Sequence, residues 1–294
     1  MSTHPTAEET ENFIRNGYVT LKNCFSADDV NDWVDRAWIR IGVDPDDPSR
    51  WNEKRVHLSS HESVDAKQLA PRAWHGAMEL LGGEDRVELP WEWSDGFIAN
   101  LGVGDDRPWD APGPDLRGWH KDGDFFRHFL DSPEQGLLTI VLWTDMHHRG
   151  GGTFIAPDSI GVVARYLAQH PEGVLPDDID VEDLVHQCHE FVELTGELGD
   201  VVLMHPYMLH ATSQNVIQHG RLITNPPIIL SDPLQFDREN ADDFSPVELS
   251  VLRGLGVDRY RFERTGEREE FTPQRVLDQR AREAAEAKRL AATS

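Results

Sequence analysis

Apolar residues recur along this chain with two periods, and the switches between them divide it into a helical opening, a long run of short strands and a helical close. Over 7–16 the pattern suits a short helix that Gly17 stops, and Tyr18 to Leu21 then reads as a strand. Ser26-Ala27-Asp28-Asp29 resembles a capping box with Asp in place of the commoner Glu or Gln. The helix it opens carries Val30, Trp33, Val34, Ala37, Trp38 and Ile41 on one stripe, which assigns both tryptophans to core packing. Pro71 to Leu81 predicts a second helix, with Pro in its first turn and Gly82-Gly83 past its end. Between these helices lies a variable stretch whose His57 and His61, like His75, have no carboxylate partner at ligand spacing.

The middle of the chain has the other period. Trp91 to Leu101 alternates as a strand does, and Asn100 near its end is a polar group that can face a pocket. Gly102 to Gly118, with Asp105, Asp106, Asp110, Asp115 and three prolines, cannot be a regular element and reads as a lid or substrate loop. Gly136 to Met146 predicts a buried strand around Trp143, and the adjacent His147 and His148 belong to the turn that follows. Pro157 to His170 predicts a helix, Pro171 to Asp180 an acidic loop, and Val181 to Glu190 a short polar helix. Its His186, Cys188 and His189 lack the fourth ligand that a zinc site needs. Val192 to Leu194, Val201 to Met204, Leu209 to Ser213 and Leu222 to Ile229 read as successive strands. The pattern turns helical again from Ser245, and Arg261 to Ser294 reads as an exposed helix and charged tail. Many short strands with few long helices predict a mainly β fold with flanking helices, a sandwich or jelly roll. No internal repeat is evident, so one domain is expected.

Composition narrows the function classes. Among 294 residues, 53 are acidic and 28 basic, a formal charge of −25 that argues against nucleic acid or an anionic membrane as partner. Cys24 and Cys188 are the two cysteines, so a reducing compartment is expected. No basic-then-apolar leader pattern opens the sequence and no apolar run approaches the roughly 20 residues of a membrane helix, which points to the cytoplasm.

The candidate chemistry starts at Gly118-Trp119-His120-Lys121-Asp122-Gly123. On an extended strand His120 and Asp122 project to one side, and Trp119 and Lys121 to the other. A second histidine from a distant strand would complete a 2-His-1-carboxylate triad, which leaves open positions on a non-haem Fe(II). Met204 to Thr212 offers two, His205 and His210, and Arg221 follows His210 by eleven residues. The two histidines are five apart and would face opposite ways on one continuous strand.

His-x-Asp, a distal His about ninety residues on and an Arg eleven residues later together resemble the phytanoyl-CoA dioxygenase family of Fe(II)/2-oxoglutarate oxygenases. Glu11 to Tyr18 is similar to that family's opening segment. Leu142-Trp143-Thr144-Asp145, Gly151 to Ser159 and Glu197 to Met204 are similar to its central strands and to the lead into the distal histidine, although Ile160 stands where the family usually has His.

The resemblance covers roughly residues 8 to 230 and implies a cupin-like double-stranded β-helix. Residues 1–90 would form an N-terminal helical buttress, 91–230 the core, and 231–294 the C-terminal helices and tail. It also implies Fe(II) held by His120, Asp122 and His210, the distal ligand being followed by a small or hydroxylated residue as here by Ala211 and Thr212. Arg221 stands in the family's position for clamping 2-oxoglutarate; Thr212, on the His210 face, can add a donor, Asn100 is a weaker candidate, and Trp143 either lines the pocket or packs in the core. The expected reaction uses O2, yields succinate and CO2, and oxidises a small molecule. Two other readings stay open: a non-catalytic sensor of metal or 2-oxoglutarate, and a cupin-like metal hydrolase or isomerase, for which Arg221 would have no use. The acid-rich loop favours a neutral or cationic substrate over an acyl-CoA thioester.

Overall fold

A computed structural model describes residues 3–274 together with 276, 277, 280, 281 and 284. Helix α1 (Ala7–Asn16) is opened by Thr6 and Glu9 in a reciprocal capping box and closed by Gly17, whose φ of 71° is the left-handed conformation that glycine adopts most readily. β1 (Tyr18–Leu21) follows, then α2 (Ala27–Ile41), where the Asp29 carboxylate accepts from both the N–H and the hydroxyl of Ser26. Next come β2 (Arg55–His57), β3 (Ser63–Asp65), α3 (Ala66–Leu69), α4 (Pro71–Leu81), β4 (Glu92–Ser94) and β5 (Ile98–Asn100). The stretch expected as one strand from 91 to 101 is therefore two. β4 pairs with β3 in a small separate sheet, whereas β5 joins the main one.

The remaining elements are β6 (Leu138–Leu142), β7 (Thr153–Ala156), α5 (Ser159–Ala168), α6 (Val181–His186), β8 (Val192–Glu193), β9 (Val201–Met204), β10 (Leu209–Thr212), β11 (Arg221–Thr224) and α7 (Pro246–Leu255). They form two antiparallel sheets, a six-stranded one in the order β1-β9-β6-β11-β5-β2 and a three-stranded one in the order β10-β7-β8. With helices on the flanks, this is the jelly-roll architecture expected from the sequence. The first ninety residues are more than a helical buttress, because β1 and β2 are the two edges of the large sheet.

Cross-strand register fixes what each face of the large sheet does. Leu21 and Leu203 share the face against which α4 packs; a methyl group added at Gly76 would lie 2.5 Å from Leu21 Cδ1. Ile223 pairs with Leu142 and Thr224 with Val141, which carries Trp143 opposite Leu222 and onto that same helix-covered face. There Trp143 stacks on Trp33 of α2 at 5.5 Å and meets Phe25, Trp93 and Phe97. Arg221, one residue before Leu222, lies on the other face.

The C-terminal segment also departs from expectation. Residues 261–273 form no helix but strap across the body: Phe271 N–H donates to Phe125 O, Arg127 N–H to Glu269 O, and Arg268 pairs with Asp131 at 2.9 Å. Most of the expected tail helix lies outside the described residues.

Candidate active site

The irregular segment after 102 ends in a short extended stretch that adds to the free edge of β10. His120 and His210 are direct cross-strand partners that exchange both backbone hydrogen bonds, His120 N–H to His210 O at 2.9 Å and the reverse at 3.0 Å. Such partners point to one face, so their rings lie 4.1 Å apart. Asp122, two residues on, turns its carboxylate to the same point: Asp122 Oδ1 is 3.6 Å from Nε2 of each histidine. Gly123 allows the chain to leave this point at φ 111°, where a methyl group would meet His128 and Phe126 at 2.6 Å.

Both imidazoles are oriented through their other nitrogen. His120 Nδ1 lies 2.9 Å from Gly118 O and His210 Nδ1 3.0 Å from Met208 O, contacts that require Nδ1–H as donor and leave each Nε2 lone pair facing Asp122. Burial lowers the pKa of His210, against the opposing pull of Asp122, so its ligand nitrogen is kept unprotonated. Two imidazole nitrogens and one carboxylate oxygen, all within 4.8 Å of one another, could hold one divalent ion and leave coordination positions open. Among the described residues this is the one group of three or more potential ligands so arranged.

His205 is set apart from it by a break in the strand that residue counting does not reveal. β9 ends at Met204, and His205 opens the turn into β10. His205 Nδ1 accepts from Tyr207 N–H at 3.1 Å, its Nε2 lies 3.3 Å from Val247 O, and burial pushes its pKa down to about 3.

Arg221 is 2% exposed, and its Nε and Nη1 have no hydrogen-bond partner. Burial first, and the neighbouring Arg55 second, lower its pKa to about 9. Buried donors without an acceptor are costly; Nε–H and Nη1–H leave the guanidinium by different edges, so a ligand carboxylate bound by two hydrogen bonds would take one of them together with Nη2. Asn100 stands directly between the two arginines, paired with Arg221 on one side and Arg55 on the other. Its amide donates to Gly151 O at 3.3 Å and accepts from Gly102 N–H at 3.2 Å. Thr212 shares a face with His210 and lines a cavity of about 350 Å³ together with Arg55 and Phe154. Trp143 is not brought to this site: its indole N–H donates to Thr224 Oγ1 at 2.9 Å on the opposite face of the sheet.

Arg55 escaped the sequence reading because β2 has three residues and one apolar position, too short for periodicity to register. Lys121, which alternation does turn away from Asp122, is held 3.0 Å from His128 Nδ1 and 3.1 Å from the Asp122 carbonyl.

The family model described as phytanoyl-CoA dioxygenase matches residues 13–223. No curated protein sequence matches the chain. Similar solved structures include SnoK, a non-heme alpha ketoglutarate dependent carbocyclase from nogalamycin biosynthesis, at 17% identity over 78% of this chain and 86% of that one, TM-score 0.48. EctD from S. alaskensis with bound Fe is 22% identical over 78% and 80%, TM-score 0.45. HygX from Streptomyces hygroscopicus with nickel and 2-oxoglutarate bound is 13% identical over 81% and 93%, TM-score 0.45.

Proposed function

The chain belongs to the phytanoyl-CoA dioxygenase family and is an Fe(II)/2-oxoglutarate-dependent oxygenase of a small molecule; from that premise we propose that His120, Asp122 and His210 hold the iron and Arg221 the 2-oxoglutarate. The observation that carries the assignment is the shared point at which Asp122 Oδ1 meets both Nε2 atoms at 3.6 Å. Iron with bound 2-oxoglutarate supplies the O2-dependent decarboxylation that yields succinate and CO2 and oxidises the substrate.

The chain's own residues bind and orient. Gly118 O and Met208 O hold a proton on each Nδ1, so both Nε2 atoms remain acceptors for metal. Arg221 offers one edge of its guanidinium, Nη2 with either Nε or Nη1, to the distal carboxylate of 2-oxoglutarate, with the Thr212 hydroxyl as a further donor. Asn100 retains one amide hydrogen for the same ligand. The buried wall of β6, β9 and β11 keeps water from that end. Trp143 has no part in the assignment, since it faces the helices.

We also propose that the substrate is not an acyl-CoA thioester, that the chain acts as a single domain, and that it works in the cytoplasm without a nucleic-acid or membrane partner. A surface at −25 overall opposes a polyanion, the two cysteines are free and buried, and no described helix is long and apolar enough to cross a membrane.

Fe(II) binding by His120→Ala, Asp122→Ala and His210→Ala tests the metal assignment. Each variant is expected to fold and to lose iron-dependent turnover. Full activity in His210→Ala, with loss in His205→Ala, would transfer the distal role to His205. Free acids turned over in place of their CoA esters would support the substrate reading, and oxidation of the esters alone would refute it.

A further inference from the structure

In a chain with nearly twice as many acids as bases, three arginines and Lys54 line one cavity. Arg55 comes from the edge strand β2, in register with Asn100 and on the same face as Arg221. Arg107 and Arg117 come from the acid-rich loop.

The fold of that loop explains why its basic residues reach the cavity. Asp105 is not among the lining residues: it pairs with Lys54 and accepts from the N–H of Asn215 at 2.9 Å, and from there its charge still acts on Arg55. Trp109 anchors the middle, its ring 5.8 Å from Phe154 and 5.0 Å below the Arg149 guanidinium. Asp110 N–H donates to Gln214 Oε1 at 2.8 Å, which ties the loop to the end of β10. Asp110 and Asp115 also border the cavity, but Asp115 is 96% exposed and turned to His186 at 3.4 Å. Pinned in this way, the loop offers the cavity two guanidiniums, and Arg55 supplies a third. The expectation of a neutral or cationic substrate weighed the whole loop, of which Arg107, Arg117, Asp110 and Asp115 border the cavity.

We propose that this cavity seats the primary substrate and that the substrate carries one carboxylate or phosphate-monoester group, held by Arg55, Arg107 and Arg117. The proposal rests on the assignment of His120, Asp122, His210 and Arg221 made above. Two lining residues connect the two, Thr212 two residues from His210 on one face of β10 and Arg55 on the Arg221 face of the large sheet, while Ala211 and Phe154 border the cavity from the other face of β10 and β7. Lys54 borders the cavity as well but is paired with Asp105, so the three guanidiniums against the carboxylates of Asp110 and Asp115 leave one net positive charge, which matches a single anionic group better than a polyphosphate. Guanidiniums also suit the planar, bidentate geometry of carboxylate and phosphate oxygens.

The test is calorimetric titration of the full-length protein, loaded with Zn(II) in place of iron and saturated with 2-oxoglutarate, with benzoate, phenyl phosphate and benzamide. At least one of the two anions is expected to bind at least tenfold more tightly than benzamide, and the stronger one identifies the group. Joint substitution Arg55→Gln, Arg107→Gln and Arg117→Gln should weaken that anion at least tenfold, and Arg107→Gln with Arg117→Gln, away from Arg221, should leave 2-oxoglutarate affinity within twofold. Should the triple variant not fold, Arg117→Gln alone, on the exposed loop, is expected to weaken it at least threefold. Equal binding of benzamide, no binding of either anion, or unchanged affinity in the variants would overturn the proposal. A parallel loss of 2-oxoglutarate affinity in that double variant would overturn it too, by assigning these guanidiniums to the co-substrate. Failure of the wild-type protein to bind 2-oxoglutarate at all would instead count against the assignment of the iron ligands and Arg221, and it is read in the same titration before any probe is added.

Discussion

Arg221 is the residue whose burial makes least sense without a ligand. A guanidinium 2% exposed with two unpartnered donors is costly, and a carboxylate on one of its edges would offset part of that cost. Arg221→Ala should therefore weaken 2-oxoglutarate binding by about 2–5 kcal/mol, the usual effect of truncating one partner of a buried charge pair; titration of 2-oxoglutarate into the metal-loaded variant measures it, and an unchanged affinity would rule out the clamp. The lowered pKa gives an independent reading. With Arg221 at about 9 when empty, the folded protein gives up a proton above that pH which the unfolded chain keeps, so this residue's contribution makes stability rise with pH there. A bound carboxylate restores the charge, so binding takes up a proton above pH 9 and affinity falls by up to about tenfold per pH unit. Calorimetry in two buffers of different ionisation enthalpy detects that proton, and its absence would remove the charge from the account. His120, Asp122, His210 and Arg221 were legible in the sequence because the ligand types, their order and their spacing are all written along the chain. Arg55 was not, since its importance comes from lying in register with Asn100 across an edge that no local pattern announces.

At the scale of elements, helices with a capping residue and a terminal glycine could be read almost to the residue: α1 stops at Gly17 and α4 before Gly82, where each chain turn needs a positive φ. Strands were legible as apolar runs but not as pairings. Trp91 to Leu101 reads as one alternating stretch, yet β4 and β5 go to different sheets, because the residues between them, Asp95 to Phe97, hold other partners: Asp95 accepts from the N–H groups of His61 and Glu62. Trp143 shows the cost of lacking a register. The sequence left it between pocket lining and core packing, and pairing with β11 turns it toward α2. Trp143→Phe is thus expected to lower stability by about 1–3 kcal/mol, through loss of the hydrogen bond to Thr224 and of ring area, with the KM for 2-oxoglutarate unchanged within twofold. Denaturant unfolding together with steady-state kinetics decides it; a raised KM without loss of stability would return Trp143 to the site. The strap over 261–273 was missed for a similar reason, since its contacts with Phe125, Arg127 and Asp131 depend on partners more than a hundred residues away.

Over the whole molecule the charge of −25 acts against compactness, and added salt screens it over about 10 Å at 0.1 M. The thermal midpoint should rise between low salt and 0.15 M NaCl, and a fall would mean that specific ion pairs such as Arg40 with Asp95 outweigh the general repulsion. The central claim is that two sheets and one irregular loop bring His120, Asp122, His210 and Arg221 together to run iron-dependent oxidation of 2-oxoglutarate. Its most direct test is succinate formed from 2-oxoglutarate by the purified protein under air, with and without Fe(II), beside Asp122→Ala, in which the carboxylate 3.6 Å from both histidines is gone. Succinate that appears only with iron and is lost in a folded Asp122→Ala variant is the expected result; succinate independent of iron, or formed equally by the variant, would contradict the account.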